Sequence, residues 1–90
     1  MFEWDEDKRT ANLAKHGIDF EAAKLIFARP TVEYRDDRWD YGEERIGAYG
    51  EVMGVVLFVV YTRRGAARRI ISARKAGTDE RKAYISRLGA

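Results

Sequence analysis

The apolar run from Val55 to Tyr61 constrains the fold of this 90-residue chain more than any other segment. It is far shorter than the ~20 residues that a membrane-spanning helix needs, so we expect no membrane segment. It belongs to a predicted strand over residues 53–62 that is apolar on both faces. A strand of this kind is buried on both sides and lies in the middle of a sheet. The sequence therefore predicts a domain built around one central strand.

The segments on either side of the central strand predict its neighbours in the sheet. Residues 31–35 mix β-branched and aromatic residues with charged ones, and residues 44–49 look like a second such strand. We expect Gly50-Glu51 to turn the chain into the central strand, and residues 64–66 to turn it into a last strand over residues 68–74. Short turns between consecutive strands indicate an antiparallel sheet of about four strands.

The N-terminal residues predict a short edge strand, Phe2-Glu3-Trp4, followed by a helix. Asp5 is a good N-cap for this helix. The helix is expected to end at about His16, because the next residue, Gly17, suits the left-handed C′ position. The residues expected on its apolar side are Ala11, Leu13 and Ala14.

Two further helices complete the predicted fold. One spans residues 20 to about 27, is capped by Asp19 and forms a tight αα-hairpin with the first helix. The other begins near the C-terminus with Thr78 as its cap. Residues 1–90 are then a single α+β domain with an N-terminal αα-hairpin and a C-terminal helix. The apolar stripe of the last helix is expected to consist of Tyr84, Ile85 and Leu88.

Charge is distributed unevenly along the chain. Residues 63–90 carry nine Lys and Arg against two acids, a local charge of +7, whereas residues 1–62 carry eight bases and thirteen acids, or −5. This asymmetry suggests a polyanionic partner for the basic part. Arginine in quantity suggests bidentate contacts to phosphate. Apolar residues recur among the basic ones in this part of the chain. We therefore interpret it as the cationic surface of a folded domain and not as a flexible basic tail.

The residue types include the groups that RNA cleavage by 2′-hydroxyl attack needs, but they do not by themselves single out that reaction. Attack by the 2′-hydroxyl needs a group that takes its proton, a cation for the developing phosphorane charge and a proton donor. Arginine supplies the cation, His16 or Glu80 could be the base, and Tyr84 or a cationic side chain could donate. One histidine, no cysteine and no metal-specific spacing of acids predict no metal site.

Each of these candidate residues also has a structural interpretation. His16 in a last helical turn and Glu80 in a first turn complement the helix dipole, and Tyr84 could be a core-edge residue. A two-residue period places Arg69 and Arg74 on opposite faces of their strand, unless a bulge intervenes. A non-catalytic module could use the same arginines to bind nucleic-acid phosphates or an acidic partner segment.

Several segments, in this order along nearly the whole chain, resemble the BrnT toxin family. They are Trp4-Asp5, residues 15–22 (KHGIDFEA), Glu44-Arg45 with Ile46-Gly47, Val60-Tyr61-Thr62, and residues 69–76 (RIISARKA) with Glu80-Arg81 and Tyr84. The resemblance implies a RelE-type ribonuclease fold and a toxin of a type II toxin–antitoxin pair, cleaving RNA without a metal and blocking translation. It also implies a cognate BrnA antitoxin that binds DNA, so that the toxin meets DNA only within their complex.

The resemblance also implies which residues form the site. We expect no cofactor, no membrane association and a cytoplasmic location, with RNA and the antitoxin as partners. The catalytic candidates at matching positions are His16, Arg64, Arg69, Arg74, Glu80 and Tyr84. The neighbouring basic residues expected to bind RNA are Lys15, Arg63, Arg68, Lys75 and Arg81.

Overall fold

A mixed five-stranded sheet forms the centre of the computed structural model, which describes residues 1–88. The strands are β1 (Phe2–Glu3), β2 (Val32–Arg35), β3 (Ile46–Val52), β4 (Val55–Arg64) and β5 (Ala67–Lys75). They lie in the order β1-β5-β4-β3-β2, so the apolar β4 is central, as predicted. β1 runs parallel to β5 and the other neighbours are antiparallel, so the prediction of an antiparallel sheet of about four strands was wrong.

Three helices accompany the sheet, and their ends follow the capping residues. The Asp5 carboxylate accepts a hydrogen bond from the Asp7 N–H at 2.8 Å, and Gly17 ends the first helix with a φ of +72°. The last helix is capped by Gly77, so Thr78 is its first residue and not its cap. No helix within residues 1–88 is long and apolar enough to cross a membrane. The helices are α1 (Glu6–His16), α2 (Phe20–Ala23) and α3 (Thr78–Arg87).

The predicted second helix continues beyond α2 as a 3₁₀ segment, Lys24–Ala28. Phe20, Ala23 and Ile26 recur at intervals of three and are fully buried. A 3₁₀ helix has three residues per turn, so Ile26 stays in line with the buried residues of α2.

The turn between β3 and β4 lies at Met53-Gly54, not at Gly50-Glu51. Met53 and Gly54 have φ values of +51° and +81°, and two such residues form the hairpin turn whose twist suits the flanking strands. Gly50 lies inside β3, where an added Cβ would be 2.6 Å from Cβ of Ile26. The glycine is needed for this close approach and not for a turn. The turn between β4 and β5 is at Gly65-Ala66, as predicted.

The two faces of the sheet have different coverings. The face that we call the core face carries Val59, Tyr61 and Ile70, which are buried with Phe20 and Ile26 of α2 and the 3₁₀ segment. The opposite face, which we call the groove face, carries Arg74, Phe58 and Tyr49 in a row across β5, β4 and β3. α3 packs on the groove face through the buried Tyr84, whereas Ile85 and Leu88 of the predicted stripe are each 44% exposed.

α1 is attached to the sheet by the buried Asn12 and not by its predicted apolar side. Nδ2 of Asn12 donates to the carbonyl oxygens of Ala73 at 2.8 Å and Ile18 at 3.0 Å, and Oδ1 accepts the Ala73 N–H at 3.1 Å. β1 pairs only with the beginning of β5, so Asn12 supplies hydrogen bonds that a longer neighbouring strand would make. The exposed residues of the predicted apolar side are Ala11, Leu13 and Ala14.

Candidate active site

A β-bulge in β5 decides which arginines share a face. Consecutive residues of β4 pair with Ser72 and Ile70, so Ile71 is an extra residue in β5. The extra residue reverses the alternation of side chains, and Arg69 and Arg74 therefore both lie on the groove face. The two-residue period alone had placed them on opposite faces.

Arg74 and Glu80 form a bidentate ion pair on the groove face. The Arg74 Nη1 and Nη2 atoms donate to Oε1 and Oε2 of Glu80 at 2.8 and 2.9 Å. Oε1 also accepts the Gly77 backbone N–H at 2.7 Å, and Oε2 accepts the Tyr49 hydroxyl at 2.6 Å. The Glu80 carboxylate thus receives four hydrogen bonds and holds the Arg74 guanidinium in one orientation.

The protonation of this network is fixed by its contacts. The hydrogen bonds from Arg74, and then those from Tyr49 and Gly77, lower the pKa of Glu80 to about 2. Burial and the bond to Glu80 raise the pKa of Tyr49 to about 12. At neutral pH Glu80 is therefore an ionised but weak base, Tyr49 keeps its proton, and Arg74 is a permanent cation.

Aromatic rings of the sheet pack against the Arg74 side of this ion pair. The Phe58 ring lies directly opposite Arg74 in the sheet, with the guanidinium carbon 4.8 Å from the ring centroid. Tyr49 follows in the same row, its ring centroid 4.6 Å from that of Phe58. Gly47 makes room for this arrangement, because an added Cβ would be 2.6 Å from Cζ of Phe58.

A groove of about 590 Å³ lies between this row and α3. Its floor includes Tyr34, Tyr49 and Phe58, and Tyr84 and Ala83 of α3 form part of its wall. Tyr84 is 4% exposed, and burial raises the pKa of its hydroxyl, so Tyr84 stays protonated. The groove therefore combines a floor of mutually inclined aromatic rings with a fixed cation at one end.

The other two arginines of the groove face have looser carboxylate contacts. Nη1 of Arg69 is 3.5 Å from Oε1 of Glu3, and Nη2 of Arg64 is 4.0 Å from Oε1 of Glu43. Glu3 and Glu43 come from the acidic part of the sequence, so the charge split is partly neutralised by folding. Long, partly exposed pairs of this kind contribute little stability and are easily exchanged for another anion.

Most of the chain matches a known protein family. Residues 4–80 match the family described as the ribonuclease toxin, BrnT, of type II toxin–antitoxin systems. The chain belongs to the BrnT family. The family that the sequence resemblance indicated is thereby confirmed.

A solved structure with the BrnT fold is also similar to the chain. It is the crystal structure of the Brucella abortus ribonuclease toxin BrnT, which is 31% identical and superimposes with a TM-score of 0.65. The match covers 87% of this chain and 99% of the Brucella chain. A search of curated proteins gives no match.

The residues suggested by the BrnT resemblance do not all come together. Lys15 and His16 are exposed in the last turn of α1, which adjoins β5 through Asn12, and the Arg74–Glu80 network includes neither of them. Lys75 and Arg81 are exposed at the end of β5 and on α3. Tyr84 lines the groove near Glu80.

Two of the expected RNA-binding arginines lie on the other face of the sheet. Arg63 and Arg68 are directly opposite each other in β4 and β5. The guanidinium of Arg68 is 4.4 Å from the Phe27 ring and 5.5 Å from the Tyr61 ring, and that of Arg63 is 5.8 Å from the Tyr61 ring. They extend the positive surface around the β4–β5 hairpin and away from the groove.

The aromatic residues of the groove floor are not among the site residues predicted from the sequence. Tyr49 was placed in a predicted strand, but nothing linked it to Glu80, and Tyr34 and Phe58 were not singled out. Their alternation along neighbouring strands is the signal that could have found them, because alternate residues of paired strands share a face.

Proposed function

We propose that this chain is a metal-independent endoribonuclease that inhibits translation by cleaving RNA. The observation that carries the proposal is the Arg74 guanidinium, held by both oxygens of Glu80 and stacked over Phe58 beside an open groove. Membership of a family of ribonuclease toxins supports the reaction class. Inhibition of translation would place the activity in the cytoplasm.

Arg74 supplies the charge stabilisation in this mechanism. When a 2′-hydroxyl attacks the neighbouring phosphate, negative charge builds up on the phosphorane oxygens. A guanidinium whose orientation is already fixed lowers the barrier, because it needs no reorganisation as the charge develops. Arg64 and Arg69 extend the positive charge along the groove face, and RNA phosphates replace their long contacts to Glu43 and Glu3.

The proton-transfer roles follow from the contacts. Because Glu80 is fully hydrogen-bonded and its pKa is about 2, we assign it to positioning Arg74 and not to taking the 2′-hydroxyl proton. His16 then stays as the candidate base, on its residue type and on the resemblance, because the Arg74–Glu80 network does not include it. Tyr84 is the candidate donor, because a tyrosine carries its proton at neutral pH and this one lines the groove.

The partners in the proposal come from the family. We propose that a BrnA-type antitoxin neutralises the chain, that the chain contacts DNA only within that complex, and that its fold is of the RelE type. The basic surface, including Lys15, Lys75 and Arg81, would bind RNA outside the reacting nucleotide.

A second function has its own support. All three groove-face arginines already contact carboxylates, so the same surface could bind an acidic segment of another protein without any chemistry. The chain would then be a binding module for an acidic partner or for nucleic-acid phosphates.

A cleavage assay separates the two functions. The purified chain is incubated with total RNA in EDTA, with and without translating ribosomes, and RNA affinity is measured in parallel. We expect cleavage in EDTA, and we expect Arg74→Ala to lower the cleavage rate about 100-fold or more while affinity falls less than about tenfold. Lys82→Ala, an exposed basic residue of α3, is the matched control. Equal loss of cleavage and affinity in Arg74→Ala would support the binding module instead.

A further inference from the structure

We propose that the groove beneath α3 binds an unpaired nucleobase, stacked on Tyr34 and hydrogen-bonded by Asp79. This inference rests on the proposed ribonuclease function and specifies its substrate as single-stranded RNA with one base turned out of the stack. Such bases are the usual targets of sequence-dependent RNA recognition, through aromatic stacking and contacts to their polar edges.

Tyr34 is a stacking platform already in place. It is 44% exposed on the floor of the groove. Its ring meets Tyr49 edge-on, with centroids 6.3 Å apart at 79°, and Tyr49 in turn packs on Phe58. The partner of Tyr34 in β3 is Gly47, and the Phe58 ring fills the space above this glycine, so the exposed part of Tyr34 faces the groove beyond the other two rings. A base can therefore reach a tyrosine ring whose orientation is fixed from one side.

Arg87 provides the opposite side of the stack. Its guanidinium carbon is 5.7 Å from the centroid of the Tyr34 ring. A planar base between a ring and a guanidinium needs about 7 Å, twice the contact distance between stacked atoms. Arg87 is exposed in the last turn of α3, so its side chain can move by the difference of about 1 Å. Arginine planes stack on unpaired bases in the same manner.

The charges of the groove favour a neutral ligand with N–H donors. Each arginine in its lining is paired with a carboxylate at 2.8–3.0 Å. With Arg87 over Tyr34, four arginines lie against four carboxylates, so away from Arg74 the groove has no net charge that would attract a phosphate. Within residues 1–88, Asp79 also lines the groove but forms no ion pair or side-chain hydrogen bond. The pairs are Arg35–Asp37, Arg38–Asp36 and Arg74–Glu80.

The free Asp79 carboxylate specifies the edge of the base. A carboxylate only accepts hydrogen bonds, and exocyclic amino groups of adenine, cytosine and guanine donate them. Uracil has no amino group, and its ring N3–H lies between two carbonyl oxygens that repel a carboxylate. We therefore expect the groove to favour amino-bearing bases over uracil.

The proposed base lies apart from the reacting phosphate. Arg74 is on β5 and Tyr34 is on β2, three strand spacings away, which is about 14 Å. The base on Tyr34 therefore belongs to a neighbouring nucleotide, and its contacts influence where the RNA is cut without contributing to the chemistry.

Binding of RNA oligomers that cannot be cleaved tests the proposal. Fluorescein-labelled hexamers of 2′-O-methyl A, C, G and U lack the attacking hydroxyl, and a matched duplex serves as the comparison. We expect Tyr34→Leu to weaken binding of the C hexamer about tenfold, Tyr34→Phe to restore it, and the duplex to bind more weakly than the single strands. Trp39→Leu, which removes an exposed aromatic residue outside the groove, is the control.

Base preference gives a second readout. We expect the wild type to bind the C hexamer several-fold more tightly than the U hexamer, and Asp79→Asn to remove that preference. If Tyr34→Leu binds like the wild type, or if Trp39→Leu weakens binding as much, the base site is wrong even when the wild type cleaves RNA. If the wild type neither binds the hexamers nor cleaves RNA with ribosomes present, the ribonuclease function fails as well.

Discussion

The core face and the groove face of the sheet are stabilised by different kinds of contact. On the core face, Ile26 and Tyr61 are buried among other apolar side chains, where stability depends on shape. On the groove face, Arg74, Glu80 and Tyr49 are held by hydrogen bonds and remain within reach of solvent. Dense apolar packing resists any added atom, whereas an ion pair over aromatic rings keeps charges oriented and available. The same strands thus provide rigidity on one side and a binding surface on the other.

The largest expected effect comes from the polar attachment of α1. Asn12→Ala leaves the buried N–H and C=O of Ala73 without partners, so we expect the free energy of unfolding to fall by about 3 kcal/mol. Urea denaturation measures the loss. Thr10→Ala, exposed on the same helix, should change stability by less than about 0.5 kcal/mol. A stable Asn12→Ala variant would show that these backbone groups find other partners and that the core face does not depend on them.

Substitution of two glycines of β3 by alanine compares how rigidly the two faces are packed. In Gly50→Ala the new Cβ would be 2.6 Å from Cβ of Ile26, which is fixed by its own backbone, and we expect a loss of about 2 kcal/mol. In Gly47→Ala the new Cβ would be equally close to Cζ of Phe58. This atom is at the far end of a side chain that can rotate, so we expect the free energy of unfolding to fall by only about 1 kcal/mol. Thermal or urea unfolding ranks the two. Equal losses would mean that the groove face is packed as rigidly as the core face.

The smallest expected effect is a pH dependence of stability. Folding lowers the pKa of Glu80 from its ordinary 4.5 to about 2. The ionised Glu80 carboxylate therefore contributes its full share to the free energy of unfolding above about pH 4.5. This share is lost as the pH falls toward about 2, because Glu80 is protonated at a higher pH in the unfolded chain than in the folded one. We expect Glu80→Gln to remove about 1 kcal/mol of this acid-induced loss, allowing for partial exposure. Glu44→Gln is the control, and an unchanged pH profile in Glu80→Gln would contradict the network.

Local signals in the sequence predicted the elements but not their assembly. The caps Asp5, Gly17 and Asp19 act through neighbouring backbone groups, so they could be read directly from the chain. The central position of β4 followed from its apolar composition. The parallel pairing of β1 with β5 could not be predicted, because it joins distant segments and leaves no local pattern.

The sequence predicted some of the residues of the candidate site but not how they are arranged in space. Arg74 and Glu80 were chosen as candidates, but the bulge at Ile71, which brings Arg69 and Arg74 to one face, adds a single residue without a sequence signature. Asn12 is not predictable for a related reason. Nothing in the sequence indicates that a polar residue of a helix will make the backbone hydrogen bonds that a neighbouring strand would otherwise make. In both cases tertiary contacts override the local period.

The pairing of β1 with β5 has a consequence for the order of events during synthesis. Glu3 contacts Arg69, which lies 66 residues later in the chain. Contacts between such distant segments form late, since most of the chain must first be available. A nascent chain still missing β5 has neither the β1–β5 pairing nor Arg69 and Arg74. The Arg74–Glu80 pair and the β1–β5 edge therefore form only after β5 and the first turn of α3 have been synthesised.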